Sequence, residues 1–426
     1  VPDEYLLRVV DGELDELLPS LPALALEGAK GVGKTVTARR RARTVYALDA
    51  PGALELFEAD PRRLVVGDPP VLLDEWQRVP ASWDLVRRAV DDDPSPGRFI
   101  LTGSAAATAG GTHSGAGRIV RLRMRPMTLS ERGVAEPTVS LRELLAGRRP
   151  SLQGATTIAL DRYAEEICRS GFPGLRTLPD RALRAQLDGY LDRVMDRDLE
   201  EEVGQPVRTA GALRRWLTAY GAATATTAAY DVVRDAATPG ERAKPARATA
   251  LAYRDALERL WILDPLPAWL PTLSHLRRLG SAPRHHLADP ALAARLLGVE
   301  AGALLEAGAR GPLTPRDGTL LGQLFESLVT LDVRVYAQAA EARVGHLRTH
   351  GGEHEIDLIV ERGDHRVLAI EVKLAHTIRD HDVRHLRWLR DRLGDDVLDA
   401  IVVTTGTDAY RRSDSIGVVP AALLGP

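Results

Sequence analysis

Short, wholly apolar runs alternate with amphipathic stretches through roughly the first 135 residues. Leu24-Ala25-Leu26, Val45-Tyr46-Ala47-Leu48, Val71-Leu72-Leu73 and Phe99-Ile100-Leu101 carry almost no polar positions, as expected of parallel strands covered on both faces. Val36 to Arg43 reads as a helix after the first of them. This alternation predicts an α/β domain with a parallel sheet. Ile119 to Met124 sets Ile119, Arg121 and Arg123 against Val120, Leu122 and Met124, which predicts a strand with one wet face. Ala105 to Gly117 is small and Gly-rich and reads as a loop.

The pattern then changes twice. From about residue 155 to 300 the apolar spacing is mostly helical; Ala250, Tyr253, Leu257, Leu260 and Trp261 share one face over Arg247 to Trp261. Ala237 to Lys244, with Pro239-Gly240, reads as a loop, and Pro265, Pro267 and Pro271 mark an extended stretch. Helices followed by an extended hairpin suggest a winged-helix-like unit. In the last block, Leu320 to Val329 is a helix. Glu355 to Val360 and Val367 to Val372 form a hairpin, a helix runs from about His381 to Leu393, and Ala400 to Val403 is a strand. The expected organisation is an α/β P-loop ATPase domain over 1–150, a helical and winged-helix-like region over 151–304, and an α/β domain over 305–426.

Composition narrows the possibilities. Aromatics make up 4% of the chain, so the cores must be built from Leu, Val, Ile and Ala. A net charge of −3 gives no overall field for nucleic acid or anionic lipid, so any such contact needs local basic patches. Cys168 is the single cysteine, which excludes internal disulfides and a cysteine-based zinc site. No apolar run approaches the ~18 residues of a membrane span, and the opening Val1-Pro2-Asp3-Glu4 is unlike a leader peptide. The expectation is a cytoplasmic protein without a membrane partner. The basic residues are almost all arginine. Lysine occurs only at Lys30, Lys34, Lys244 and Lys373, and asparagine is absent. A lysine kept in such a chain marks a place where arginine is chemically unsuitable.

Lys34 lies in Gly28-Ala29-Lys30-Gly31-Val32-Gly33-Lys34-Thr35, a full G-x-x-x-x-G-K-[ST] phosphate loop between a strand and a helix. Gly28, Gly31 and Gly33 let backbone N–H groups turn towards phosphates, aided by the start of the helix. Lys34 is expected to reach the β- and γ-phosphates of ATP, and Thr35 to ligate Mg²⁺. Val71-Leu72-Leu73-Asp74-Glu75 supplies the acidic partner. Asp74 is expected to hold Mg²⁺, usually through water, and Glu75 to polarise the attacking water. Thr102 or Ser104, ending a neighbouring strand, could contact the γ-phosphate or its water; a plain Gly-Ser turn is the other reading. Arg118 could meet the γ-phosphate, in cis or in a neighbouring subunit. Guanine is disfavoured, because its Asn/Thr-Lys-x-Asp reader is missing.

The second surviving motif lysine belongs to a different constellation. Asp357 and Glu371 are fourteen residues apart on the two hairpin strands, and Lys373 follows two residues later. This is the D…E-x-K pattern of PD-(D/E)XK nucleases. Alternation puts Glu371 and Lys373 on one strand face. Asp357 and Glu371 could hold Mg²⁺, Lys373 could orient or deprotonate water, and Glu326 on the preceding helix could add a further acid. The same pattern also occurs on ordinary charged strands. Arg39-Arg40-Arg41-Ala42-Arg43 reads as a solvated helix face rather than a nucleic-acid patch. His381 and His385 share a helical spacing suited to metal, but with no cysteine nearby zinc is not favoured.

The order of motifs resembles the prokaryotic AAA-type P-loop ATPases that carry a C-terminal domain of unknown function. The resemblance rests on Gly28–Thr35, Leu73-Asp74-Glu75, Leu101-Thr102-Gly103-Ser104, Arg118 with Pro126 to Glu131, Gly171-Phe172-Pro173, Tyr190-Leu191-Asp192-Arg193, Arg197-Asp198 and Glu371-Val372-Lys373. Trp76-Gln77 fits the family pattern loosely. The resemblance implies an N-terminal AAA-like ATPase, a helical and winged-helix middle and a C-terminal restriction-endonuclease-like domain. Two functions follow. One is an ATP-driven enzyme whose C-terminal site acts on DNA. The other is an ATP-switched module whose inactive nuclease-like domain docks DNA or a protein, with a homo-oligomer or protein partner left open.

Overall fold

The computed structural model describes residues 5–50, 52, 55, 57, 59–104, 116–199, 210–238, 247–271, 281–306 and 320–426. The chain divides into two compact units. One comprises Val1–Pro126, Phe172–Gly174 and Glu258–Trp261; the other comprises Met127–Gly171, Leu175–Leu257 and Ile262–Pro426. The expected loops at Ala105 to Gly117 and Ala237 to Lys244 lie largely outside the described residues.

The first unit contains α1 (Val9–Leu17), β1 (Ala23–Glu27), α2 (Lys34–Arg39), β2 (Thr44–Ala47), β3 (Val71–Asp74), α3 (Ala81–Asp92), β4 (Phe99–Gly103) and β5 (Ile119–Arg123). Its five strands form one all-parallel sheet in the order β2-β3-β4-β1-β5. Residues of β1, β3 and β4 are buried throughout, because layers cover both sheet faces. On one face Ala25, Leu73 and Leu101 pack with Trp76, Trp83 and Val86; on the other Leu72 and Ile100 meet Ala38 of α2. Strand β4 therefore lies between the phosphate-loop strand β1 and the acidic strand β3. The expected alternation of β5 is corrected: Ile119 and Leu122 are buried, while Val120 is exposed. Among the described residues β5 is an edge paired only to β1, and its exposed Arg121 stacks on Trp83 and approaches Glu27 at 3.6 Å.

The second unit begins with β6 (Val139–Ser140). It continues through the helices α4 (Leu141–Leu145), α5 (Leu160–Arg169), α6 (Asp180–Arg193), α7 (Ala210–Ala222), α8 (Tyr230–Ala236), α9 (Arg247–Arg259), α10 (Pro290–Leu296) and α11 (Ala301–Glu306). A short antiparallel ladder pairs Leu263 with Leu287 and Leu266 with Arg284. The helix α12 (Leu320–Ala339) runs longer than its apolar start suggested, because Val333, Tyr336 and Ala337 continue the buried face.

After α12 come β7 (Arg343–Arg348), β8 (Glu355–Glu361), β9 (Val367–Lys373), α13 (Arg384–Leu393), β10 (Val397–Thr404), β11 (Tyr410–Arg411), β12 (Gly417–Pro420) and β13 (Leu424–Gly425). Strands β7, β8 and β9 are antiparallel neighbours, and β10 returns parallel to β9 after α13. The result is a mixed six-stranded sheet, β11-β12-β10-β9-β8-β7. Its core gathers Ile356, Ile359, Ala369, Leu386, Leu389 and Val402. Among the described residues, no helix is long and apolar enough to cross a membrane.

Candidate functional site

The phosphate loop joins β1 to α2. Gly31 and Gly33 have φ of +83° and +104°, a backbone that side chains with a Cβ rarely adopt. At Gly28 crowding decides: a Cβ there would lie 2.1 Å from the Met124 carbonyl oxygen. Arg8 braces the loop from outside. Its Nη1 donates to the Val32 carbonyl and its Nη2 to the Arg125 carbonyl, both at 2.7 Å. Within the same unit, a methyl group added at Gly31 would touch Phe172 at 3.7 Å, and one at Gly33 would touch Pro173 at 3.6 Å.

Lys34 is buried and curls back over the loop. Its Nζ donates to the carbonyls of Gly28 and Ala29 at 2.8 and 2.9 Å. Burial lowers its pKa to about 8, against the opposing pull of Glu75 and Asp74. Thr35 Oγ1 donates to Asp74 Oδ1 at 2.7 Å, and Thr102 Oγ1 donates to the same oxygen at 2.5 Å. The second Asp74 oxygen faces the Arg39 guanidinium at 3.4 Å. A threonine hydroxyl and a carboxylate held together beside an ammonium form a hard-oxygen set suited to Mg²⁺ and phosphate.

Glu75 stands at the end of β3 with φ +57°, an uncommon backbone for a non-glycine residue and one found where function tolerates strain. Its Oε2 accepts from Gln77 Nε2 at 2.5 Å and from Ser104 Oγ at 3.2 Å, and its backbone N–H donates to Thr102 Oγ1 at 3.3 Å. The two hydroxyls proposed from sequence thus divide: Thr102 meets Asp74, and Ser104 meets Glu75. Arg118 lies away from this network, paired with Asp91 at 2.7 Å. The arginine run is largely exposed, with three of its members held within the unit. Arg39 faces Asp74, Arg40 stacks on Tyr5, and Arg41 pairs with Asp11 and Asp15.

The second unit brings its acids together as well. Asp357 on β8 accepts from the Val372 backbone N–H of β9 at 2.8 Å. Lys373 Nζ donates to Glu371 Oε2 at 2.7 Å and lies 3.9 Å from Asp357 Oδ2. A residue the sequence reading missed occupies the space between Asp357 and Glu326. Arg284 Nη1 donates to Asp357 Oδ1 at 3.0 Å and to Glu326 Oε1, while its Nη2 donates to Glu355. Although burial works against it, Arg284 and Lys373 hold Asp357 below the usual carboxylate range. Burial, reinforced by Asp357, pushes Glu371 well above it, and Glu371 Oε1 is buried without a hydrogen-bond partner among the described residues.

Nothing in a chain with 52 arginines singled out Arg284. Gln77 and Arg8 were likewise not assigned a role. The histidine pair is corrected. His381 precedes α13 and is exposed beside Asp382, whereas His385 lies against His354 at 3.3 Å. Among the described residues, no group of three or more His, Cys, Asp or Glu side chains is arranged to hold a metal.

Comparison with known proteins accords with the first of these sites. Residues 20–132 match the AAA domain family. Residues 160–303 and 321–424 match two domains of unknown function, DUF8612 and DUF4143. The chain is similar to the uncharacterized proteins Mb2031c of Mycobacterium bovis and Rv2008c of Mycobacterium tuberculosis. Each is 26% identical over 423 residues, covering 97% of this chain and 83% of the relative. Among solved structures it is similar to the Walker-type ATPase PABY2304 of Pyrococcus abyssi, at 17% identity, covering 67% of this chain and 94% of that one, with a TM-score of 0.40. The family match and the full phosphate loop make the N-terminal domain a P-loop domain of the AAA type.

Proposed function

We propose that this chain binds ATP with Mg²⁺ and hydrolyses it at the site built from Gly28, Gly31, Gly33, Lys34, Thr35, Asp74, Glu75 and Thr102. The observation that carries the reading is the joining of Thr35, Asp74 and Thr102 by hydrogen bonds at 2.7 and 2.5 Å. Lys34 exchanges the Gly28 and Ala29 carbonyls for the β- and γ-phosphates. Thr35 and, through water, Asp74 would hold Mg²⁺, which would neutralise charge on the phosphate oxygens. Glu75 orients the attacking water and takes its proton as the water oxygen bonds to the γ-phosphorus and the ADP oxygen leaves. Arg118 must give up Asp91 to reach the γ-phosphate, in cis or in a neighbouring subunit. The test is phosphate release from Mg-ATP. Wild type should turn over and Lys34→Ala should not; equal turnover would end the assignment.

For the rest of the chain, the proposal is a winged-helix-like middle and a restriction-endonuclease-like C-terminal domain. The order α12, β7, β8, β9, α13, β10 supports the latter. That domain could act on DNA or only dock DNA or a protein under ATP control. Metal ligation by Asp357, Glu371 and Glu326 does not fit this arrangement. The buried guanidinium of Arg284 already supplies the cation for Asp357 and Glu326, Val372 N–H holds the second Asp357 oxygen, and Lys373 is paired with Glu371. Arg284 therefore favours the second reading, an ATP-switched binding module. Single-stranded, duplex and branched DNA with Mg²⁺ or Mn²⁺ and ATP separate the two. The module binds without cutting; cleavage lost in Asp357→Ala and Lys373→Ala would restore the nuclease.

A further inference from the structure

We propose that Arg284 is a built-in cation that takes the place of a divalent metal among Asp357, Glu326 and Glu355, so that the C-terminal acidic cluster excludes metal ions. The guanidinium is almost wholly buried, and its two terminal nitrogens reach three carboxylates on two elements, α12 and β8. A planar guanidinium with several fixed donors suits this task, because it satisfies several carboxylate oxygens at once without a coordination shell.

The backbone of Arg284 is anchored next to the acids. Arg284 N donates to the Leu266 carbonyl at 2.9 Å, and Leu266 N donates to the Arg284 carbonyl at 2.8 Å. These bonds hold the Arg284 backbone beside the acids, and the three carboxylates hold its guanidinium; swinging the side chain away would leave three acids facing one another. A divalent cation would need the Asp357 oxygen that Arg284 holds. The other Asp357 oxygen is committed to the β9 backbone at 2.8 Å. Lys373 adds a second positive charge 3.9 Å from Asp357, which further disfavours an incoming cation.

The inference rests on the binding-module reading above, yet it is tested by metal binding and not by DNA cleavage, so either can fail alone. The experiment uses the full chain without nucleotide and counts bound Mn²⁺ by electron paramagnetic resonance. Four proteins are compared: wild type, Asp357→Asn, Arg284→Met and the Arg284→Met/Asp357→Asn double variant. Wild type and Asp357→Asn should bind equal amounts of Mn²⁺. Arg284→Met should gain one bound ion, and the double variant should lose it.

Removing one partner from a buried charge cluster can prevent folding. Arg284→Met/Glu355→Gln, which lowers the charge left behind, is the second route to the same gain. A Mn²⁺ ion bound by wild type and lost in Asp357→Asn would overturn the proposal, and that comparison needs no Arg284 variant. So would a folded Arg284→Met protein that gains no ion.

Discussion

Thr35 Oγ1 lies 2.7 Å from Asp74 Oδ1, and Thr102 reaches the same oxygen at 2.5 Å. The hydroxyl expected to ligate Mg²⁺ and the carboxylate expected to stand behind it are therefore already joined through one atom. Outer partners that orient a metal site typically contribute 10–100-fold to metal affinity or activity. Thr102→Val should accordingly raise the Mg²⁺ concentration for half-maximal ATP turnover by about 10–100-fold. A magnesium titration of steady-state turnover checks this, and an unchanged midpoint would remove Thr102 from the site.

The depressed pKa of Lys34, about 8, makes a prediction about pH. Phosphates favour the charged ammonium, so binding should raise this pKa again. Affinity for Mg-ATP should be greatest below pH 8 and fall above it, by at most about tenfold per pH unit. Calorimetry at pH 9, in buffers of different ionisation enthalpy, should detect proton uptake on binding. Proton-neutral binding would contradict the assignment of Lys34.

Stability of the second unit should depend on Glu166. Its side chain and that of Arg132 have no exposed surface, and they meet at 3.2 Å, with Arg176 at 2.7 Å from the same oxygen. Glu166→Ala strands the buried Arg132 charge and should cost about 3–5 kcal/mol. Burial works against it, yet Arg176 and Arg132 keep the Glu166 pKa low. Its contribution is thus present above the unfolded pKa of about 4.3, and it is lost as pH falls through the folded value. Denaturant unfolding followed at the buried Trp216 should show the gap between wild type and Glu166→Ala narrowing in acid. A gap independent of pH would mean that packing, and not charge, explains the loss.

The central strands of the first sheet were legible because burial on both faces leaves short apolar runs such as Leu24-Ala25-Leu26 and Phe99-Ile100-Leu101. The phosphate loop was legible because its glycines, lysine and threonine all fall within the single stretch Gly28–Thr35. The edge strand β5 was misread at its start, where Ile119 is buried and Val120 exposed, because an edge strand is covered unevenly along its length. Glu75 could be named from its place after Asp74, but its left-handed backbone and its bond to Gln77 could not. Arg284 was invisible for a different reason. It is separated from Glu326 and Asp357 by 42 and 73 residues, and its role depends wholly on where the chain brings it.

Glu75 offers the most direct test of the account. Its carboxylate is held by Gln77 and Ser104, beside Asp74 and within the field of Lys34. Removing only its charge should leave nucleotide binding intact while slowing chemistry. Titration of a labelled ATP analogue and single-turnover hydrolysis should be measured on wild type and Glu75→Gln in parallel. The account predicts affinities within a few-fold of each other and a hydrolysis rate about 10²–10⁴-fold lower in the variant. A variant that binds ATP and hydrolyses it at the wild-type rate would contradict the account.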